Sequence, residues 1–166
     1  YLYFLNMGIY SLNLKTRSIT KVIAPMSGEE QIRAMARDAE NRLWIAEDDL
    51  SYWDENTQKL DRNLSTNYNA TTRYMLTQDI LRHGDDMIVG VRTNGLWIFR
   101  HQPENPEHYF KGERTTFEEL NDKNISVLYE DHAKNIWIGT YDNGLYKCNL
   151  EKQEIHHYNK DNGLVH

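Results

Sequence analysis

The chain has 166 residues, 39% of them hydrophobic, with 19 basic against 25 acidic side chains and a formal net charge of −6. That length can bury a sizeable core in one or two domains, whereas the acidic balance and the lack of any basic tract argue against nucleic acid as a partner. No run reaches the roughly 18 apolar residues of a membrane helix, and Cys148, the single cysteine, cannot close an internal disulfide.

In chain order, short strand-like runs fall into four groups. Residues 2–5, 9–14 and 18–22 form the first, which lacks an opening strand. Tyr1 starts within this strand-like stretch with neither an initiator Met nor a signal peptide, so the sequence is expected to belong to a longer chain. The second group is 32–37, 43–47, 50–54 and 59–61. Its opening segment, EEQIRAMARDAE at 29–40, has a helix-forming composition. A strand is predicted there all the same, because the segment aligns without a gap on ISVLYEDHAKN at 125–135, where Ile, Val and Tyr favour a sheet. The third group is 76–82, 87–91, 96–100 and 107–110. A short helix at 71–79 is the alternative for its start, and Pro103 and Pro106 fall in its last connection. The fourth is 125–130, 136–140, 145–149 and 154–158, after which 159–166 (NKDNGLVH) leads toward a further group.

These groups are copies of one pattern. IRAMARDAENRLWIA (32–46) and ISVLYEDHAKNIWIG (125–139) share the opening Ile, an Asp at the seventh place and the pair Trp-Ile. The anchors Ile9, Leu50, Leu96 and Leu145 recur at intervals of 41, 46 and 49 residues, a period typical of propeller blades or repeat arrays. The residues that recur have physical reasons to do so. Gly8, Gly95 and Gly144 end tight polar turns that call for a left-handed backbone, with Asp49 in that place in the second copy. Asp38 and Asp131 are expected to cap the turn after the first strand by accepting backbone hydrogen bonds; their surroundings lack the acidic spacing of a calcium loop. Trp44 and Trp137 are expected to fill the gap between neighbouring sheets, and Ile88 takes that place in the third copy. The fold class is therefore all-β: a β-propeller fragment of about four blades at 1–22, 32–61, 76–110 and 125–158. Each blade is a four-stranded antiparallel sheet, the first incomplete.

EDHAKNIWIGTYDNGLYKCNL and RDAENRLWIAEDDLSYW resemble the repeat of the two-component regulator propellers, strongly in blades two and four and moderately in one and three. That family forms the periplasmic sensor region of hybrid histidine kinase/response regulators of Bacteroides-like bacteria. The resemblance implies stacked propellers followed by an immunoglobulin-like domain, a membrane helix and cytoplasmic kinase and regulator domains. It further implies oligosaccharide ligands, and a transcriptional response that serves glycan uptake and breakdown. The kinase and regulator domains are not in this chain, so it is expected to be a sensor segment and not an enzyme. An alternative is a structural or protein-interaction propeller.

In an up-and-down blade, the turn between strands two and three lies on the same face as the link to the next blade. The long connections 23–31, 62–75 and 111–124 all belong to that face, which is the candidate binding surface. Its short turns offer Asp48 beside Glu47, then Arg92, Thr93 and Asn94, then Tyr141, Asp142 and Asn143. Arg92 suits a uronate or sulfate, Tyr141 a sugar ring, and Asn94 and Asp142 sugar hydroxyls. Asp48 completes this set, and with Asp142 it is also the one carboxylate pair to nominate for glycoside chemistry. Each of these residues can equally serve only its own turn, and Asn143 before Gly144 reads that way.

His156 and His157 alternate across a strand and make a poor metal pair, and Asn63 and Asn69 head chance glycosylation patterns. No metal or other cofactor is expected, nor any membrane contact by this segment. Open sheet edges at either end predict a homodimer or higher oligomer.

Overall fold

The computed structural model describes residues 2–4, 9–23, 32–47, 50–61, 76–104 and 110–164. These form β1 (Leu2–Phe4), β2 (Ile9–Leu12) and β3 (Ile19–Ile23); then β4 (Ala34–Arg37), β5 (Leu43–Ala46), β6 (Leu50–Asp54) and β7 (Lys59–Asp61). There follow β8 (Thr77–His83), β9 (Asp86–Val91), β10 (Gly95–His101) and β11 (Phe110–Arg114), and last β12 (Ile125–Glu130), β13 (Ile136–Thr140), β14 (Leu145–Asn149) and β15 (Glu154–Tyr158). Each group is its own antiparallel meander in sequence order: β1–β3, β4–β7, β8–β11 and β12–β15. β8 packs on β4 and β5, and β12 on β8 and β9. The first strands of successive sheets therefore stand side by side, and the sheets follow one another as blades.

The seams between blades are apolar because strand alternation sends successive side chains to opposite faces. Leu43 and Ile45 pack with Ile9 and Ile23 of blade one, whereas Trp44 and Ala46 pack with Met87, Val89, Phe99 and Phe110 of blade three. Trp44 is fully buried, with Phe99 and Phe110 edge-on to its ring at 5.5 and 4.7 Å, a favoured aromatic geometry. Ile88, at the same repeat position in blade three, lies in the next seam with Leu120, Ile125, Leu128 and Tyr146. Cys148 is buried there too, and burial pushes its thiol up to about 12.

Asp38 and Asp131 cap their turns as the repeat suggests. Asp38 Oδ1 accepts from the Arg42 amide at 2.9 Å, and Asp131 Oδ1 from the Ala133 and Asn135 amides at 2.9 Å. Each also has a partner that periodicity does not reveal. Trp44 Nε1 donates to Asp38 and Trp137 Nε1 to Asp131, both at 2.9 Å, so the recurring Asp and Trp form one unit. A further polar tie crosses the seam of blades three and four. Both innermost strands bulge there, and Asp79 accepts the Leu128 amide at 2.7 Å and its neighbour Ile80 at 2.9 Å.

One expectation against local propensity holds, and one strand boundary needs revision. The helix-forming stretch is strand over Ala34–Arg37; β4 pairs along its length with β5, and that sheet overrides local propensity. The fourth strand of blade three runs over Phe110–Arg114, past the expected end at 110; residues 105–109 lie outside the described residues. Phe110 pairs with His101 and fills the seam beside Trp44, which sets the register. The connection 111–124 is accordingly not an open loop: it begins as strand, and Phe117 and Leu120 in its remainder are buried.

Candidate functional site

On the face that carries the β9–β10 and β13–β14 turns, two tight turns meet across the seam of blades three and four. In the first, Thr93 has a φ of 63° and Gly95 of 74°, and the Arg92 amide donates to the Leu76 carbonyl at 2.9 Å. In the second, Thr140 Oγ1 accepts from the Asn143 amide at 2.9 Å, and Gly144 has a φ of 78°. A Cβ on Gly95 would lie 2.2 Å from the Leu120 carbonyl oxygen, and one on Gly144 2.4 Å from that of Tyr158. Only glycine fits either place, which fixes both turns against the links beside them.

Asn124, in the lead-in to β12, joins the two turns. Its Oδ1 accepts the Thr93 amide at 3.0 Å, its Nδ2 donates to Asp142 at 2.9 Å, and its carbonyl accepts the Tyr141 amide at 3.0 Å. Tyr141 then reaches back across the seam. Its hydroxyl donates to Gln78 Oε1 at 3.2 Å, and the Arg92 guanidinium lies over its ring at 5.7 Å from the centre. The Tyr141 side chain remains 63% exposed. The amides of Asn124 and Asn143 hold the Asp142 carboxyl below the usual carboxylate range. Beside these turns a cleft of about 870 Å³ runs along Thr140–Gly144, with His157, Asn159 and Lys160 opposite.

The structure thus brings Arg92, Tyr141 and Asp142 together. Asn94 is engaged elsewhere, its Oδ1 accepting from Arg114 and its carbonyl from Trp97 Nε1. Asp48 lies outside the described residues, as do Asp49, Asn63 and Asn69. Asn143 shapes its turn and binds His157 through its carbonyl at 2.5 Å. Asn124 and Gln78 were not readable as site residues; the only signal is that Asn124 directly precedes the Ile that opens the repeat. A second cleft, of about 680 Å³, lies on the opposite face. Several of its charged groups are paired, with Arg100 on Asp86 at 2.6 Å and both His83 and Lys134 on the neighbouring Glu130 at 2.5 and 2.6 Å. Among the described residues no group of three or more His, Cys, Asp or Glu is placed to hold a metal, and no helix is long and apolar enough to cross a membrane.

Successive four-stranded meanders, joined by apolar seams with their first strands side by side, make a β-propeller array. Residues 119–142, which include the first two strands of blade four, match the model of the two component regulator propeller family. The chain is similar to the extracellular domain of BT3049 from B. thetaiotaomicron, described as a hybrid two component system. The TM-score is 0.64 at 19% identity, over 91% of this chain and 20% of that one. The chain therefore spans about a fifth of that structure's length. It is also similar to a streptogramin B lyase, with a TM-score of 0.62 at 11% identity, over 92% of this chain and 48% of the lyase. No curated protein sequence matches it significantly. At these identities the structural likenesses establish the fold, and with an enzyme among the neighbours the fold alone does not decide function.

Proposed function

We propose that this chain is a segment of the periplasmic sensor of a hybrid two-component system, and that it contributes to recognition of an oligosaccharide. The observation that carries this reading is the pair of turns joined by Asn124. It presents an exposed aromatic ring, a guanidinium and hydrogen-bonding groups on one rigid rim, which is the composition a sugar site needs. The resemblance to sensor propellers supplies the biological setting, in which the parent protein is a membrane-anchored histidine kinase. We assign no catalysis to this segment; the Asp142 carboxylate is held by two side-chain amides.

A thermal-shift screen against neutral and acidic oligosaccharides tests this. A ligand at a hundred times its Kd stabilises by about 2.7 kcal/mol, which raises Tm by roughly 5–10 °C for a chain of this size. The absence of any shift would move the reading to a protein partner or a scaffold. The outer face of blade four, with Val127 52% and Tyr129 58% exposed, supports association with a second copy. A clean monomer by sedimentation at high concentration would refute that association.

A further inference from the structure

We propose that the rim formed by Arg92, Tyr141 and Asn124 selects an anionic saccharide, one bearing a carboxylate or a sulfate, and that Arg92 reads the charge. This rests on the oligosaccharide reading and adds to it a chemical class and a residue that enforces it.

Arg92 differs from four other arginines of the chain. Arg37 sits on Glu55 at 2.6 Å, Arg42 on Asp38 at 2.7 Å, Arg100 on Asp86 at 2.6 Å and Arg114 on Asp122 at 3.2 Å. Among the described residues Arg92 has no carboxylate partner, and its guanidinium lies over the face of Tyr141. The ring holds the guanidinium without using any of its five N–H donors, which are left free to face a ligand. The nearest acid in the network, Asp142, is engaged by Asn124 and Asn143 and stands beside Lys123. Asp122 is matched to Arg114, so neither of these two acids pairs with Arg92. A planar guanidinium pre-oriented on an aromatic ring suits two-pronged binding of a carboxylate or sulfate, and the exposed part of Tyr141 offers apolar surface for the sugar body.

The test is titration calorimetry of the full chain with three probes: a galacturonic acid trisaccharide, a sulfated carrageenan tetrasaccharide and a neutral galactose trisaccharide. We expect one acidic probe to bind at least tenfold more tightly than the neutral one, and its affinity to fall as salt rises. Which acidic probe binds separates carboxylate from sulfate. Arg92→Gln should weaken that binding about tenfold to a hundredfold and abolish the preference over the neutral probe, whereas Arg92→Lys should retain part of it. Arg92 is exposed and its backbone bond to Leu76 is kept in both variants, so unchanged circular dichroism will show that they fold. If the neutral probe binds as tightly as the acidic ones and Arg92→Gln changes nothing, the charge selection is overturned and the sensor reading stands. If none of the three binds, both readings fall.

Discussion

Trp44 and Trp137 hold the same place in two copies of the repeat, yet their surroundings differ, and this makes a quantitative test of the seams. Trp44 is fully buried beneath two edge-on rings from blade three. Trp137 is partly exposed; it stacks on Tyr158 of its own blade at 5.9 Å, with Lys147 Nζ 5.3 Å from its ring centre. Each indole N–H donates to its Asp at the same distance, so that bond cancels in the comparison. A Trp that buries about 200 Å² at ~25 cal/mol per Å² contributes about 5 kcal/mol, in line with the ~3–5 kcal/mol measured for such truncations. Trp137 is only partly exposed and keeps at least about two thirds of that burial, about 3.5 kcal/mol. Trp44→Ala should therefore cost up to about 1.5 kcal/mol more than Trp137→Ala. At a urea m-value of ~2 kcal/mol/M this separates their midpoints by up to roughly 0.8 M. Urea unfolding followed by far-ultraviolet circular dichroism at two protein concentrations measures it. Equal losses at low concentration would refute the claim that the following blade is what buries the indole. A Trp137→Ala loss that grows with concentration would mean that a second copy covers the face.

Three further outcomes are expected. Gly95→Ala should be much more damaging than Gly84→Ala in the same assay. Both positions have positive φ, which costs about 1–2 kcal/mol with a side chain, but a Cβ at 84 meets open space and one at 95 meets a backbone oxygen; equal losses would remove the close-approach argument. Burial raises the Asp79 pKa, against the bonds from Leu128 and Ile80 that lower it. The favourable contribution is then fully present below the unfolded value of about 3.9 and is lost as pH rises through the folded pKa. The stability of the parent chain relative to Asp79→Asn should consequently fall between pH 4 and pH 7, and a rise would contradict this. Cys148 should resist thiol reagents at pH 8 in the native chain and react on unfolding, since its pKa is about 12 and it is buried; rapid native labelling would place it elsewhere.

Blade four was legible strand by strand because its alternation, its Asn-Gly turn and its Trp-Ile pair all point to the same register. Blade three was legible only in part. Its last strand carries Gly112 between charged residues, a pattern that suits an outer edge and gives no apolar alternation to detect. The link after it looks like a loop but is anchored by Phe117 and Leu120, which have no periodic partners. The nearness of Arg92, Tyr141 and Asp142 was readable because turn topology places them on one face. Asn94 looked equivalent in sequence, but its side chain is drawn to Arg114 on the neighbouring strand, a pairing across a sheet that one-dimensional spacing does not show. Asn124 escaped notice because its role depends on two turns that lie 31 and 18 residues away.

The strand pairing of the four sheets has a consequence for how such a chain can change over generations. Each blade completes its own ladder of backbone bonds, and the seams consist chiefly of interchangeable apolar side chains. A stretch of coding sequence that holds one meander and its link can thus be copied or deleted without breaking any strand pairing. What such an event must restore is the match of ring to ring at the two new seams. Polar ties are the exceptions, because each is fitted to one particular neighbour: His101–Glu40 between blades two and three, and those of Asp79, Asn124, Tyr141 and His83 between three and four. Among the described residues the seam of blades three and four carries most of these ties, and it is there that a freely duplicable repeat has become most committed to a fixed order.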